Sequence, residues 1–398
     1  MRIRFHGGFG EKGRTCLAAS SRRTRLLLDA GIDTSAAGEA RYPAIDGAAL
    51  AGIDAILITH AHEDHLAALG WCAAHGFAGR VLMTPETLAD RDTCLAAYAE
   101  AAHRALALAL PVETFRAGET LRLGDLTVET GRSGHAVGGV WYRIGDEGGA
   151  SVLYCGDTVA GSPVFPMDPP PPSDVVLFDA SYGADAVPAG RRAEDILAFV
   201  AAQAGPCLLP VPMIGRSVEL LALLPAPLAV HRALRAPLQA QIADAAWLHA
   251  GLKVRLAERL AAARDWSEDE PFPPLPLLVH DAMGLGGPSR EAIPRALREG
   301  VPILLTGHLP AGSPGERALG AGQAAWIRLP THPTWPETLA LLDAVRPRLA
   351  TGHSCPLTVM ADLARHRPDV LATVRVGEEI DVAALAAQPA AMAASPSR

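Results

Sequence analysis

Seven residues, Thr59-His60-Ala61-His62-Glu63-Asp64-His65, constrain this chain more than any other stretch. They set three imidazoles and two carboxylates between a largely apolar run, Ile53 to Ile58, and the helix-like Leu66-Ala67-Ala68-Leu69. His, Asp and Glu are costly to bury unless paired or metal-bound, so packing alone does not produce such a run. A strand that ends in a ligand cluster and is followed by a helix predicts a metal site on a βα loop. The N and O donors suit a borderline ion such as zinc. A polar helix N-terminus, with Glu63 or Asp64 favouring the dipole, is the plainer reading. It leaves three histidines unexplained.

The chain has 398 residues, 49% of them hydrophobic, which predicts two or three domains and a large core. Six cysteines (Cys16, Cys72, Cys94, Cys155, Cys207, Cys355) are scattered without a CxxC pair. That excludes a disulfide framework and a Cys-rich structural zinc site, and leaves them as small buried hydrophobes. Met1-Arg2-Ile3-Arg4-Phe5 reads as a first strand, not a signal peptide. The longest uncharged stretch, Ile196 to Gly215, is broken by Gly205, Pro206, Pro210 and Pro212, which argues against a membrane span. The expected compartment is the cytoplasm.

Residues 1 to 181 alternate short apolar strands with turns and helical stretches. Strands are predicted at Ile3–Phe5, Leu17–Ser20, Arg25–Leu28, Ala55–Thr59, Arg80–Thr84, Thr127–Glu129, Val140–Ile144, Ser151–Tyr154 and Val175–Phe178. Helices are predicted at Leu66–His75 and Pro85–Leu110. The mixture implies two sheets with covering helices. From Tyr182 the pattern becomes βα units: helix Glu194–Ala204, strand Pro206–Val211, helix Ser217–Leu224, helices Leu234–Ala250 and Leu252–Arg264. A loop at Trp266–Pro276, strands Leu277–His280 and Pro302–Thr306, and helix Arg290–Glu299 complete this part. The Pro/Ala/Ser-rich tail, 388–398, is expected to be disordered.

Four more polar residues follow apolar strands in the same way. They are Asp29, His135 within Gly131–Gly139, Asp157 and His353. Each alone has a bland reading, an Asx turn for Asp157 or a hydrogen-bonded core imidazole for His353. Their recurrence is informative. Asp29, the His60–His65 block, His135 and Asp157 fall in the order of the metallo-β-lactamase superfamily motifs. In the second half, Phe178-Asp179-Ala180-Ser181-Tyr182-Gly183, Leu209–Leu221, Asp281–Ser289, Leu305–Gly315, Thr331-His332-Pro333-Thr334 and Thr351-Gly352-His353-Ser354 resemble the motifs of the β-CASP nucleases. The chain departs from them at Thr334 and Trp335, at Ser354 where Gly-Glu is expected, and at His308.

The resemblance implies an αββα sandwich with an inserted α/β domain. The sandwich would comprise residues 1–181 and 329–387, and the insertion 182–328. It also implies two zinc ions, with manganese as the alternative. One would take His60, His62 and His135, the other Asp64, His65 and His353, with Asp157 bridging. Asp29 would hold a ligand imidazole from behind. His332 would act as general acid, oriented by Asp179, and Asp64 and Asp157 would also serve catalysis. Arg216, Gly307 and Gly315 would contact substrate from the lid. For Arg216 a phosphate clamp competes with a surface ion pair to Glu219, and Glu63 is expected to face solvent or the helix dipole.

The reaction implied is hydrolysis of single-stranded RNA, or of DNA, without a membrane partner; a homodimer is compatible. The alternatives are a hydrolase of small esters, thioesters or lactones, and an inactive binding subunit. The net charge is −8, and residues 182–328 hold equal numbers of basic and acidic residues. A neutral insertion admits a local arginine groove without advertising one.

Overall fold

The computed structural model describes residues 1–310 and 312–387; the expected disordered tail, 388–398, lies outside the described residues. Two sheets stack face to face. The first has seven strands in the order Glu379–Asp381, Arg2–Gly7, Cys16–Ser20, Arg25–Leu28, Ala55–Leu57, Arg80–Met83 and Val112–Thr114. The second has six, in the order Leu349–His353, Val175–Asp179, Ser151–Tyr154, Val140–Asp146, Leu126–Arg132 and Thr120–Leu123.

The period-two alternation of each strand builds the layers. Leu26 and Leu28 turn inward to Tyr142, Val152, Tyr154 and Leu177 on the facing sheet, whereas Leu27 turns outward to Ile56, Leu66, Leu69 and Cys72. On the other side, Leu153, Val176 and Phe178 pack outward against Trp335, Leu342, Met360 and Leu363. The result is helices, sheet, sheet, helices. The strand Leu349–His353 lies parallel to Val175–Asp179, pairing His353 with Asp179. The chain thus returns to the sandwich after an excursion of more than a hundred residues.

That excursion is a second α/β unit. Four parallel strands run in the order Cys207–Pro210, Pro276–Val279, Ala229–His231 and Arg264–Trp266. Leu208, Trp266, Leu277 and Val279 meet Ala292, Ile293 and Ala296 of the helix Ser289–Glu299 in its core.

Several local expectations need correction. The helix predicted over Pro85–Leu110 is two, Pro85–Tyr98 and Ala101–Ala109, separated by extended Ala99 and Glu100. No Gly or Pro marks the break. The Tyr42 hydroxyl bonds both Glu100 and His103 and so fixes the second helix. The helix predicted at Leu66–His75 starts earlier, at Glu63–Leu66, and resumes at Leu69–Ala74. Leu234–Ala250 ends as a helix at Ala243, where Asp244 caps a short 3-10 turn. The strands Ala229–His231 and Arg264–Trp266 leave no mark in the sequence pattern; three residues each carry too little periodicity to read. Trp266 belongs to a strand rather than a loop and stacks on Phe272. All six cysteines are buried and unpaired. Among the described residues no helix is long and apolar enough to cross a membrane.

Candidate metal centre

The polar strand ends gather at one edge of the sandwich. His60 and His62 follow the strand Ala55–Leu57, with His62 at the N-cap of the helix that carries Glu63, Asp64 and His65. His135 follows Leu126–Arg132, Asp157 follows Ser151–Tyr154, and Asp179 and His353 end their own strands in register.

His60 Nε2 lies 3.0 Å from His62 Nδ1, and His135 Nε2 lies 3.1 Å from the same atom. The Asp157 carboxylate is 3.7 Å from His60 Nε2 and 3.6 Å from His135 Nε2. The donor atoms of these four residues all lie within 4.8 Å of one another. Burial, then the neighbouring imidazoles, keeps His60 well below its ordinary value; burial lowers His62 and His135 as well. Neutral imidazoles with converging lone pairs are what a cation requires. His65 Nε2 and Asp157 Oδ1 lie 3.2 Å apart, buried, yet neither makes a hydrogen bond. A buried acceptor left unsatisfied is costly, and a cation between these groups would satisfy it. The residues present therefore fit a divalent metal.

The second predicted ligand set is more open. Asp64 Oδ2 is 3.7 Å from His65 Nε2. His353 directs Nε2 to the Gly156 carbonyl at 3.0 Å and Nδ1 to the Ser354 hydroxyl at 3.0 Å. To serve a metal through Nε2, it must give up the Gly156 bond.

Asp29 lies behind the cluster, fully buried, with φ +57°. It accepts from the Thr59 amide at 2.7 Å, the Tyr154 hydroxyl at 2.6 Å and the Thr59 hydroxyl at 2.8 Å, and it holds His65 Nδ1 at 2.7 Å. With Nδ1 held, His65 Nε2 is aimed at Asp157. Sequence reasoning misses Thr59 and Tyr154 as the supports of Asp29. A strand residue gives no signal of its side-chain partner in a single sequence.

His332 stands beside the cluster, with Nδ1 2.8 Å from Asp179 Oδ2 and 3.5 Å from Asp157 Oδ2. Burial opposes its charge, but Asp179 and Asp157 outweigh burial and hold it up at about 9. Burial likewise opposes the charge on Asp179, and His332 prevails, keeping the carboxyl below its usual range. Tyr182 packs edge-on to His332, and its hydroxyl accepts from the Thr331 amide.

A cleft of about 540 Å³ separates the sandwich edge from the second unit. His62, Asp64, His135, Asp157 and His332 line one wall; Met213, Ile214, Arg216, Met283, Leu285 and His308 line the other. Arg216 donates to the Thr331 hydroxyl at 2.9 Å and leaves its buried Nε without a partner. The expected alternative, an ion pair to Glu219, does not form. Glu219, itself buried, instead accepts from the Ser162 hydroxyl at 2.6 Å. Gly307 and Gly315 do not line the cleft. Gly307 packs on the guanidinium: a Cβ there would sit 2.0 Å from Arg216 Nη1. Gly315 packs against Leu305 and Leu309. Glu63 lines the cleft and is not turned to solvent; burial and the adjacent Asp64 raise its pKa.

The metallo-beta-lactamase superfamily profile matches residues 13–196, the part that carries most of these candidate ligands. Residues 13–196 form a metallo-beta-lactamase superfamily domain. Superfamily membership together with the His/Asp cluster indicates use of a divalent metal. The chain is 27% identical over 303 residues to a transcription termination factor, FttA, of Cenarchaeum symbiosum, a match covering 67% of this chain and 45% of that protein. It is 30% identical over 246 residues to endoribonuclease YSH1 of Yarrowia lipolytica, covering 55% and 29%. It is 26% identical over 247 residues to cleavage and polyadenylation specificity factor 73 of Drosophila melanogaster, covering 56% and 35%. The matches span less than half the length of these relatives. A solved protein of unknown function from Enterococcus faecalis V583 superposes with a TM-score of 0.63 at 12% identity, over 95% of this chain and 99% of that one. That likeness extends the shared fold beyond the superfamily match to the inserted unit.

Proposed function

We propose that this chain is a zinc-dependent phosphodiesterase that cleaves single-stranded RNA, in the cytoplasm, in the cleft between sandwich and lid. The observation that carries the reading is the His332–Asp179 pair, 2.8 Å apart and beside Asp157, on the floor of that cleft. Cleaving a phosphodiester, like cleaving an ester, expels an alkoxide that must take a proton, and this pair is placed to give one; the nuclease relatives are what favour the phosphodiester.

His60, His62 and His135 would hold one ion, Asp64, His65 and His353 the other, with Asp157 between them. Bound there, divalent ions activate water and offset negative charge on a phosphate. The protein's own residues do the rest. Asp29 keeps the His65 ring oriented through Nδ1. Asp179 occupies His332 Nδ1, so the proton on Nε2 is the one available to the leaving oxygen. Held at about 9, His332 carries that proton at neutral pH. Arg216 lines the cleft from the lid side, where its guanidinium is suited to a phosphate. The names of the relatives support RNA as the polymer: an endoribonuclease and a cleavage factor are among them. The cleft carries histidines and carboxylates on its sandwich wall and Arg216 and His308 among apolar residues on the other, so it is not the wholly apolar cleft that would favour a small ester.

The experiment is a gel of end-labelled single-stranded RNA and DNA, with 5′-phosphate and 5′-hydroxyl ends, incubated with zinc-loaded protein and an Asp64→Ala control. Products from the wild type on RNA, absent in the control, are expected. Intact strands in every wild-type lane would overturn the proposal.

A further inference from the structure

Next to the cleft, a second groove of about 380 Å³ opens, lined in part by Tyr182, whose ring packs on His332. Tyr182, Ser354, Pro356 and Val359 line it. The two grooves share Lys12 and Ser181. Lys12 is one of only two lysines in the chain. It is exposed, sits on the loop between the first two long strands, and forms no ion pair among the described residues.

Other cations surround the same junction. Arg328 lies over the Tyr182 ring at 4.3 Å and over the Trp326 ring at 5.0 Å. Trp326 is 39% exposed, and its indole donates to the Gly307 carbonyl, one residue from His308. His308 lines the first groove. Burial, and then the positive charges of Lys12, Arg328, His332 and Arg216, push His308 down to about 4, which marks these groups as one cationic neighbourhood. The carboxylates nearby are already committed. Asp185 pairs with both Arg328 and Arg192, and Asp362, on the second groove, pairs with Arg365. In a chain of net charge −8, an unpaired lysine beside an arginine stacked between two rings is a local exception.

We infer that this junction is a second phosphate subsite for a single-stranded nucleic acid: Lys12 and Arg328 take a backbone phosphate next to the scissile one, His308 donates or accepts at its edge, and the neighbouring base stacks on Trp326. The inference rests on reading the cleft as a phosphodiesterase site. Its chemistry is general to single strands. Unpaired bases stack on aromatic faces and arginine planes, and a basic groove tracks the backbone. The strand then runs from the first groove, past His332, into the second. Substrates with a single phosphate cannot reach the junction, so it distinguishes a polymer from a dinucleotide.

The test measures binding with metal-free protein, by anisotropy of a fluorescein-labelled single-stranded RNA octamer and a dinucleotide across a salt series. Lys12→Ala is expected to weaken octamer binding several-fold and to flatten the salt slope by roughly 0.7, the value for one lost phosphate contact on a single strand. Trp326→Ala is expected to weaken it roughly tenfold, with Trp326→Phe recovering most of the loss. Neither variant should change dinucleotide binding. Melting temperatures confirm that the variants fold. Octamer affinity and salt slope unchanged in both variants, equal losses on the dinucleotide, or no octamer binding by the wild type would each overturn the subsite. If the wild type binds the octamer through these residues but the metal-loaded protein cleaves nothing, the subsite stands and the phosphodiesterase reading falls.

Discussion

The two walls of the cleft are built on different principles. On the sandwich wall, titratable residues stand at strand ends and are locked by other polar groups: Asp29 alone takes four hydrogen bonds from Thr59, Tyr154 and His65. On the lid wall, Met213, Ile214, Met283 and Leu285 alternate with single polar groups such as Arg216 and His308. Leu285 is 53% exposed there, whereas His60, His65 and Asp157 are buried. One wall is held by hydrogen bonds between its polar groups, and on the proposed reading it specifies the reaction. The other is mostly apolar with few polar anchors, and on the same reading it specifies what is brought to the site. Substitutions on the first wall should therefore damage chemistry or metal affinity, and those on the second should damage substrate binding.

The largest effect should come from His332, the proposed proton donor. His332→Ala is expected to lower kcat by about 10² to 10⁴ with metal content unchanged, measured by single-turnover cleavage and metal analysis on the same sample. A loss of metal in that variant would move His332 into the ligand set and break the division of labour. Next, Asp29→Ala should cost roughly 10- to 100-fold in metal affinity, read by competition with a chromogenic chelator, because His65 loses the bond that orients it. On the lid wall, Arg216→Lys should raise KM for a polynucleotide by roughly tenfold while kcat changes little, since lysine keeps the charge and loses the fork. Gly307→Ala should reproduce that phenotype by displacing the guanidinium, although Gly307 itself faces no substrate.

The smallest effect sharpens the comparison by testing the lid without substrate. Burial pushes Glu219 up to about 7, and its Oε2 has no hydrogen-bond partner. Because the folded pKa exceeds the unfolded one, the proton stabilises the fold at low pH. That stability is present below about 4.5 and is lost as pH rises to about 7. Glu219→Gln should match the wild type near pH 4.5 and exceed it above pH 7, by at most roughly 3 kcal/mol. Thermal melts at the two pH values read the difference directly; equal melting temperatures at pH 8 would show that the carboxyl ionises freely.

The sandwich wall is legible in the sequence because the candidate ligands stand at or just after the ends of apolar strands, so the strand and the chemistry announce each other. His60, His135 and Asp157 can all be placed on this rule. The supports are not legible: nothing in Thr59 or Tyr154 reveals that both turn to Asp29, since side-chain partners across a sheet depend on register. The lid is harder still. Its strands at Ala229–His231 and Arg264–Trp266 are three residues long; the first is buried throughout and the second is an edge strand exposed at Arg264 and Asp265, so neither shows alternation. Arg216 can be singled out, but its partner cannot: helical spacing points to Glu219, and the fold provides Thr331. Gly307 shows the same limit from another side. A glycine in a loop motif signals close approach of something, and here it is the Arg216 side chain, not a ligand.

The central claim is that two ligand sets, one already gathered and one held open by the bond from His353 to the Gly156 carbonyl, form a single hydrolytic centre. Stepwise addition of zinc to metal-free protein, with cleavage of single-stranded RNA followed at each step, tests it most directly. Little activity is expected at the first equivalent, and a steep rise on the second. Full activity at one equivalent, or no cleavage at any zinc level, would contradict the claim.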